Sequence, residues 1–398
     1  MGKIFETVIV GAGPGGLTCG RYLDDALILD QKEEIGEPVQ CAEGLAKKFL
    51  DRFNIQPDPN WISATIDNTQ IILPNGKAIN LKVKEGSYIL DRVNFEKFLA
   101  GQCRAEIKLR KRVVEIEKEG EVWQVKTQEG KVFKSKYLIG ADGPLSIVRR
   151  KVFQEKVAVY PCLEYLVEAG KEVDCSTIKI YLDQERFPLG YAWIFPKAKN
   201  RANIGLGSEG KTNLNEQFED FMENTIKKEL GNYKLLKNIS GIVPWEKKPI
   251  KLVKDNALLV GDAGAMVDPI SGGGIGNAMI AGEQAAKSIL SKDVNSYPER
   301  IKFLSCFNKD LFSAQKILYL FDNKVLNEIG EILEKAGGDI FYLKNYSVFS
   351  NFLLKPNLRK NIFKFLKLLF IYRNYTRSPS SAKRGEVEDE AKPQRPQS

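Results

Sequence analysis

The chain has 398 residues, 43% apolar and 28% charged, with 33 glycines and 17 prolines. That is enough material for two or three domains with full-sized cores, and it excludes global disorder and a collagen-like repeat. Histidine is absent, which excludes a Ser-His-Asp triad, a Cys-His pair and any histidine-ligated zinc or iron site, so proton transfer falls to Cys, Tyr, Lys, Asp, Glu or water. Sixty basic and 51 acidic residues give a net charge of +9, but residues 341–385 alone carry ten Lys or Arg and no Asp or Glu. The rest of the chain is near neutrality, which argues against a nucleic-acid surface and for one local partner of the basic segment.

The six cysteines, Cys19, Cys41, Cys103, Cys162, Cys175 and Cys306, are irregularly spaced with no CxxC pair, so no metal site is expected. The start MGKIFETVIVGAG lacks the basic opening and cleavage site of a signal peptide. No window of about 18 uninterrupted apolar residues suggests a spanning helix. A cytoplasmic protein is expected.

In chain order, residues 4–10 read as a buried strand, residues 17–25 as a short helix and residues 26–30 as a second strand, a β-α-β opening. Residues 61–91 read as strands around a Pro74-Asn75-Gly76 turn, residues 93–103 as a helix, and VVEIEK and VWQVKT as strands flanking Gly120. A strand ends at KYLIGADG, and residues 157–244 alternate as a separate sheet interrupted by one charged amphipathic stretch, NEQFEDFMENTIKKEL. ALLVGDAG restores a buried strand, AMIAGEQAAKSIL follows as a helix, and the pattern is helical from Tyr297 onward.

Gly11-Ala12-Gly13-Pro14-Gly15-Gly16 follows a strand and opens a helix, and Asp30 ends the next strand. These are the parts of a dinucleotide fingerprint: Gly11 for the tight turn, Gly13 for close approach of backbone to a pyrophosphate, Gly16 for helix packing, and Asp30 for ribose hydroxyls. Gln31 follows Asp30 at the same strand end. Two further turns end buried strands: Gly140-Ala141-Asp142-Gly143-Pro144, continuing to Arg149, and Gly261-Asp262-Ala263-Gly264, with Gly273, Gly274 and Ile275 opening the next helix. Either alone reads as an ordinary Asp-Gly turn. Behind GAGPGG and in this order they read as parts of one cofactor seat, with Asp262 accepting from a polyol chain and the helix start offering positive potential to a reduced flavin.

The order GAGPGG, GADGPLSIVR, LLVGDAG resembles the flavoprotein monooxygenase superfamily with the p-hydroxybenzoate hydroxylase fold. The resemblance implies noncovalent FAD, and it matches Arg92 to an arginine at the flavin side of a helix, against the plain reading of a solvated helix-start charge. Within that superfamily, Pro38-Val39-Gln40-Cys41-Ala42-Glu43-Gly44 and Tyr191-Ala192-Trp193-Ile194-Phe195-Pro196 followed by Gly205-Leu206-Gly207 resemble the PxxCxxG and YxWxFP…GxG motifs of the geranylgeranyl reductase family. Members of that family saturate prenyl chains, including those of archaeal ether lipids.

The resemblance implies an α/β (α+β) fold: a Rossmann-like FAD-binding domain (1–60, 86–152 and 245–295), an inserted antiparallel-sheet substrate domain (61–85 and 153–244), a C-terminal helical region (296–377) and a disordered tail (378–398). An isolated alkene has no carbonyl to accept electrons, so a hydride from reduced flavin N5 needs a proton at the other carbon. With no histidine, Cys41, Tyr191 or water are the candidates. Cys41 is either that acid or a small buried apolar residue. Cys41, Ala42 and Gly44 are expected beside the flavin. Tyr191, Trp193 and Phe195 share one strand face, which with Pro196, Gly205 and Gly207 is either a wall for an isoprenoid chain or ordinary sheet core. NADPH and reduced ferredoxin both serve relatives as electron donors, and ferredoxin is a possible partner of the basic segment. Residues 358–375, rich in Lys, Phe and Leu, form either an interfacial helix on the inner face of the cell membrane or a helix packed on the protein. Two other activities remain open: oxygen-dependent hydroxylation or halogenation of an aromatic substrate, and electron transfer to quinone. The second normally carries a cysteine-ligated cluster that this spacing does not offer.

Overall fold

The computed structural model describes residues 3–209, 213–246, 248–335 and 355–377. The tail 378–398 and residues 336–354 lie outside this set. The first strand β1 (Ile4–Val10) leads through the glycine turn into α1 (Pro14–Gly20) and back as β2 (Ala26–Leu29), parallel to β1 with Val8 opposite Leu27. A polar loop then carries β3 (Gly44–Ala46) and α2 (Lys47–Arg52), and β4 (Ile62–Ile72) and β5 (Ala78–Leu90) form a long hairpin. After α3 (Arg92–Gly101) come β6 (Glu106–Lys108), the hairpin β7 (Val113–Glu119) and β8 (Val122–Thr127), and β9 (Val132–Gly140).

The next block is β10 (Val159–Ala169), β11 (Thr177–Tyr181), β12 (Tyr191–Ala198), β13 (Arg201–Gly207), a helical segment Leu214–Leu230, and β14 (Tyr233–Pro244). β15 (Val253–Lys254) and β16 (Ala257–Leu259) return the chain to the first sheet before the long helix Ile275–Leu290. Helices Tyr297–Ile301, Lys309–Leu318, Asn323–Lys335, Pro356–Lys360 and Ile362–Arg377 complete the described chain.

The first sheet runs β15-β16-β9-β1-β2-β6, with β7 and β8 attached to β9. Its central strands are parallel and bury both faces, as their unbroken apolar runs require. The second sheet runs β14-β10-β13-β12-β11-β4-β5-β3. One pairing departs from the antiparallel expectation: β11 lies parallel to β4, Ile178 opposite Thr69, where the inserted block meets the earlier hairpin. β3 pairs with the end of β5, Gly44 opposite Ile89, so the PxxCxxG segment runs into the edge of this second sheet although it lies within residues 1–60.

Other differences are local. The first helix occupies Pro14–Gly20 rather than residues 17–25; it starts at the proline, whose fixed φ suits a first turn. The amphipathic stretch contains a π turn at Met222–Ile226, and its Phe218, Phe221, Met222, Ile226 and Leu230 cover one face of the second sheet. The short elements β3, α2 and β6 carry too few residues to show a period.

The Tyr297 hydroxyl donates to the Leu259 carbonyl at 2.9 Å, fixing the helical region to the first sheet. Helix α1 crosses the Ile275–Leu290 helix so closely that a Cβ on Gly282 would stand 2.2 Å from the Gly15 carbonyl oxygen. Gly282→Ala should therefore cost about 3 kcal/mol through overpacking, read as a melting temperature several degrees lower; an unchanged melting curve would mean that the two helices part freely.

Candidate active site

Three glycine-rich turns meet at the ends of β1, β9 and β16. Gly11 has φ +108°, and a Cβ there would be 2.2 Å from the Ala141 carbonyl oxygen. Gly16 would meet the Gly11 carbonyl at 2.0 Å, and Gly15 the Val260 side chain at 2.6 Å. Gly11 and Gly16 are glycines because backbone meets backbone, and Gly15 because the Val260 side chain fills the space. Gly13 differs, since nothing lies within 4 Å of where its Cβ would be; the space beside it opens into a cavity of about 1970 Å³. Arg149 ties the second turn to the third, its guanidinium donating to the Ala263 carbonyl at 2.8 Å and also to the carbonyls of Asp262 and Pro144.

The acids of these turns divide by what they already hold. Asp30 accepts from the Ala12 N–H at 2.5 Å and the Lys32 N–H at 2.8 Å, locking the first turn to the end of β2. The Asp142 carboxylate is spent within its own turn, accepting from the Ser146 hydroxyl at 2.5 Å and the Ile147 N–H at 2.6 Å. Burial raises the Asp142 pKa against these donors. Asp262 has no protein donor on its carboxylate among the described residues. Burial raises its pKa to about 6 against the pull of Arg92 and Arg149. It faces the cavity beside Gly273, Gly274 and the start of the Ile275–Leu290 helix, whose first turn has no side-chain cap. A half-buried carboxylate with no protein donor, a free helix start and the open space at Gly13 fit a dinucleotide cofactor bearing a polyol chain.

Across the cavity stands one face of the second sheet. Along β12, Tyr191, Trp193 and Phe195 face the cavity, and Ala192 and Ile194 enter the core beneath the Leu214–Leu230 segment. Gly207 lies opposite Tyr191 and Gly205 opposite Trp193 on β13. A Cβ on Gly205 would be 2.4 Å from the Trp193 ring, so the glycine lets the indole lie flat across β13. The ring reaches β10, where its Nε1 donates to Glu164 Oε2 at 3.1 Å. The wall continues through Ile178, Ile239, Val243 and Trp245, an apolar surface fitted to hydrocarbon. The Tyr191 hydroxyl donates to the Ser271 carbonyl, pinning the loop before Gly273 to the sheet. With its proton engaged there, the structure makes Tyr191 a tether of that loop.

Cys41 sits where the two faces meet, its Sγ accepting from the Glu43 N–H at 3.2 Å. Burial raises its pKa and keeps the thiol neutral, while Arg92 and that N–H favour the thiolate. Glu43, at φ +70°, accepts from the Arg92 N–H at 3.0 Å, the Lys197 ammonium at 2.6 Å and Asn203 Nδ2 at 2.8 Å. It fastens the loop to α3 and to the second sheet. Burial alone would lower the Arg92 pKa, but Glu96, Cys41 and Glu43 outweigh it and raise the value, so the guanidinium stays charged and grips Glu96.

Gly11, Gly13, Pro14, Gly15, Asp30, Gln31, Cys41, Ala42, Gly44, Arg92, Asp142, Gly143, Gly261, Asp262, Gly273, Gly274, Ile275, Tyr191, Trp193, Phe195 and Gly207 all border the cavity. Gly16 and Gly205 lie behind it as packing glycines, and Pro196 stands on the opposite strand face beside a shift in register with β13. Glu43, Glu164, Lys197 and Asn203 escaped sequence reading. Glu43 lies inside PxxCxxG and Glu164 two residues after Cys162, but only the cross-strand register brings Glu164 under Trp193. Among the described residues no cluster of ligands could hold a metal ion.

The glycine turns and the cavity they share with a sheet face are those of a dinucleotide-binding protein. Residues 159–243 match the family model of the geranylgeranyl reductase catalytic domain. The chain is 36% identical over 313 residues to digeranylgeranylglycerophospholipid reductase 2 of Methanococcoides burtonii, covering 73% of this chain and 76% of the relative. It is 33% identical over 388 residues to digeranylgeranylglycerophospholipid reductase of Methanoculleus marisnigri, covering 90% and 95%. Among solved structures, a geranylgeranyl bacteriochlorophyll reductase-like protein from Thermoplasma acidophilum superposes with a TM-score of 0.76 at 25% identity, covering 90% of this chain and 98% of that one. The chain belongs to the digeranylgeranylglycerophospholipid reductase family.

Gly205→Ala should push the Trp193 indole off β13 and into the cavity. We expect a red-shifted tryptophan emission and a stability loss of about 1–3 kcal/mol; emission and melting both unchanged would show that the ring has room to spare.

Proposed function

We propose that the protein is an FAD-dependent reductase that saturates C=C bonds of geranylgeranyl chains on an archaeal-type ether lipid. The observation that carries this reading is the single cavity bounded by glycine turns on one side and by Tyr191, Trp193, Phe195 and aliphatic residues on the other. The turn at Gly13 and the uncapped start of the Ile275–Leu290 helix receive the anionic part of the cofactor, and Asp262 accepts from its polyol hydroxyls. Reduced flavin, when bound, supplies hydride to one alkene carbon.

The chain's own task is to hold the alkene dry against the aromatic face and to deliver a proton to the other carbon. Cys41 is the donor: burial keeps its proton on until it is needed, and the Glu43 N–H and the Arg92 guanidinium stabilise the sulfur left behind. Hydroxylation or halogenation of an aromatic is disfavoured by membership of a reductase family.

The C-terminal helix serves a lipid substrate in a second way. Leu358, Leu368 and Ile371 pack onto the protein, against Leu73, Phe321, Leu311 and Ala314. On the outer side Phe363 is 85% and Phe370 65% exposed, with Lys364 and Lys367 exposed beside them. Outward aromatics among lysines suit the interface of an anionic membrane. Among the described residues no helix is long and apolar enough to cross one.

With dithionite as reductant, the protein should add two hydrogens per double bond to a geranylgeranyl ether lipid, read by mass spectrometry. Cys41→Ala should keep its flavin absorbance and lose about 100-fold in rate; full activity in that variant would remove Cys41 as the acid. The double variant Phe363→Glu with Phe370→Glu should pellet less with anionic liposomes while still reducing detergent-dispersed lipid, and undiminished pelleting would remove the membrane contact.

A further inference from the structure

Glu164 is 3% exposed, in the middle of β10. Its Oε2 accepts from Trp193 Nε1, and its Oε1 is buried with no hydrogen-bond partner. No cation pairs with it at contact distance among the described residues. A buried carboxylate left this way would forfeit its hydration for one hydrogen bond, whereas a neutral acid carries its proton on the free oxygen and loses far less. The residue borders the same cavity as Cys41, and the two interact electrostatically.

We propose that Glu164 is the proton reserve of this site: a neutral carboxylic acid, oriented by Trp193, that returns a proton to Cys41 after each saturation. The proposal rests on the reductase reading above. In each cycle the alkene π bond breaks and two C–H bonds form, one from the hydride of the reduced flavin and one from the Cys41 thiol proton. The S–H electron pair stays on sulfur. The Glu164 O–H proton then passes to Sγ, directly or through one water, and the carboxylate is refilled from solvent at the cavity mouth.

Burial raises the Glu164 pKa to about 8, with Glu43 adding to the rise and the Trp193 N–H and Lys197 opposing it. Cys41 and Cys162 are the other titratable groups facing it, and both are held neutral by burial. The acid therefore carries its proton at neutral pH and can still give it up to a thiolate. Because the folded-state value lies above the unfolded one, the contribution to stability is complete below about pH 4.5 and is lost as pH rises through about 8.

The test compares the flavin-loaded wild type with Glu164→Gln, which keeps the shape and the acceptor for Trp193. In the infrared, wild type minus variant should show a protonated-carboxyl C=O band that disappears near pH 8, and the variant's melting temperature should gain on the wild type over the same rise. For the prereduced enzyme, the first turnover should survive within about twofold, while steady-state turnover falls about 100-fold and loses its limb near pH 8. Glu164→Asp should restore part of it. Three results overturn the proposal: no such band, steady-state turnover equal to wild type, or a first turnover lost as fully as in Cys41→Ala, which would make Glu164 the direct donor. A wild type that saturates no alkene would sink the reductase reading and the proton return with it, whereas the infrared and melting comparisons separately judge whether Glu164 is a neutral acid.

Discussion

The site depends on backbone meeting backbone where β1, β9 and β16 end. Gly11 lies against the Ala141 carbonyl and Gly16 against that of Gly11, and Arg149 clamps the carbonyls of the third turn to the second. Any side chain at Gly11 or Gly16 would part these turns, and the seat for a pyrophosphate and a polyol would open with them. Because the turns are fixed, Gly13 and Asp262 keep their open aspect toward the cavity.

The second sheet repeats the device in another form. Gly205 lacks a side chain where Trp193 needs room, and Gly207, opposite Tyr191, lacks one where the Cys162 sulfur lies. One gap lets an indole cross a strand to reach a carboxyl; the other lies opposite a phenol that holds the loop before Gly273. Glu43 joins the two halves through Arg92, Lys197 and Asn203. The aromatic wall is thus tied to the loop before Gly273 through Tyr191, the second sheet is tied to α3 through Glu43, and Cys41 lies in the same loop as Glu43.

Much of this was legible in the chain. The parallel core announces itself in IFETVIV, ALIL and ALLV, and the three turns in their glycine spacing. The alternation of Tyr191, Trp193 and Phe195 places them on one strand face, and all three border the cavity. Asp142 was legible as a turn acid but not as one already spent on Ser146 and Ile147, because a sequence does not reveal what a carboxylate holds. Glu164 was hidden for a related reason: its partner lies two strands away, and register between β10, β13 and β12 is a property of the folded sheet. The basic C-terminal helix packs on the protein through Leu368 and Ile371 and presents Phe363 and Phe370 outward.

The central claim is that one cavity holds both the cofactor and the prenyl chain, on opposite sides of the reacting bond. The most direct measurement is a crystal structure of the protein with FAD and a geranylgeranyl lipid bound. The account predicts the pyrophosphate at Gly13, the ring near Gly273 and Gly274, and the chain between that ring and the Trp193 face with a double bond beside Cys41. A prenyl chain lying outside this cavity, or a cofactor seated away from the three turns, would contradict it.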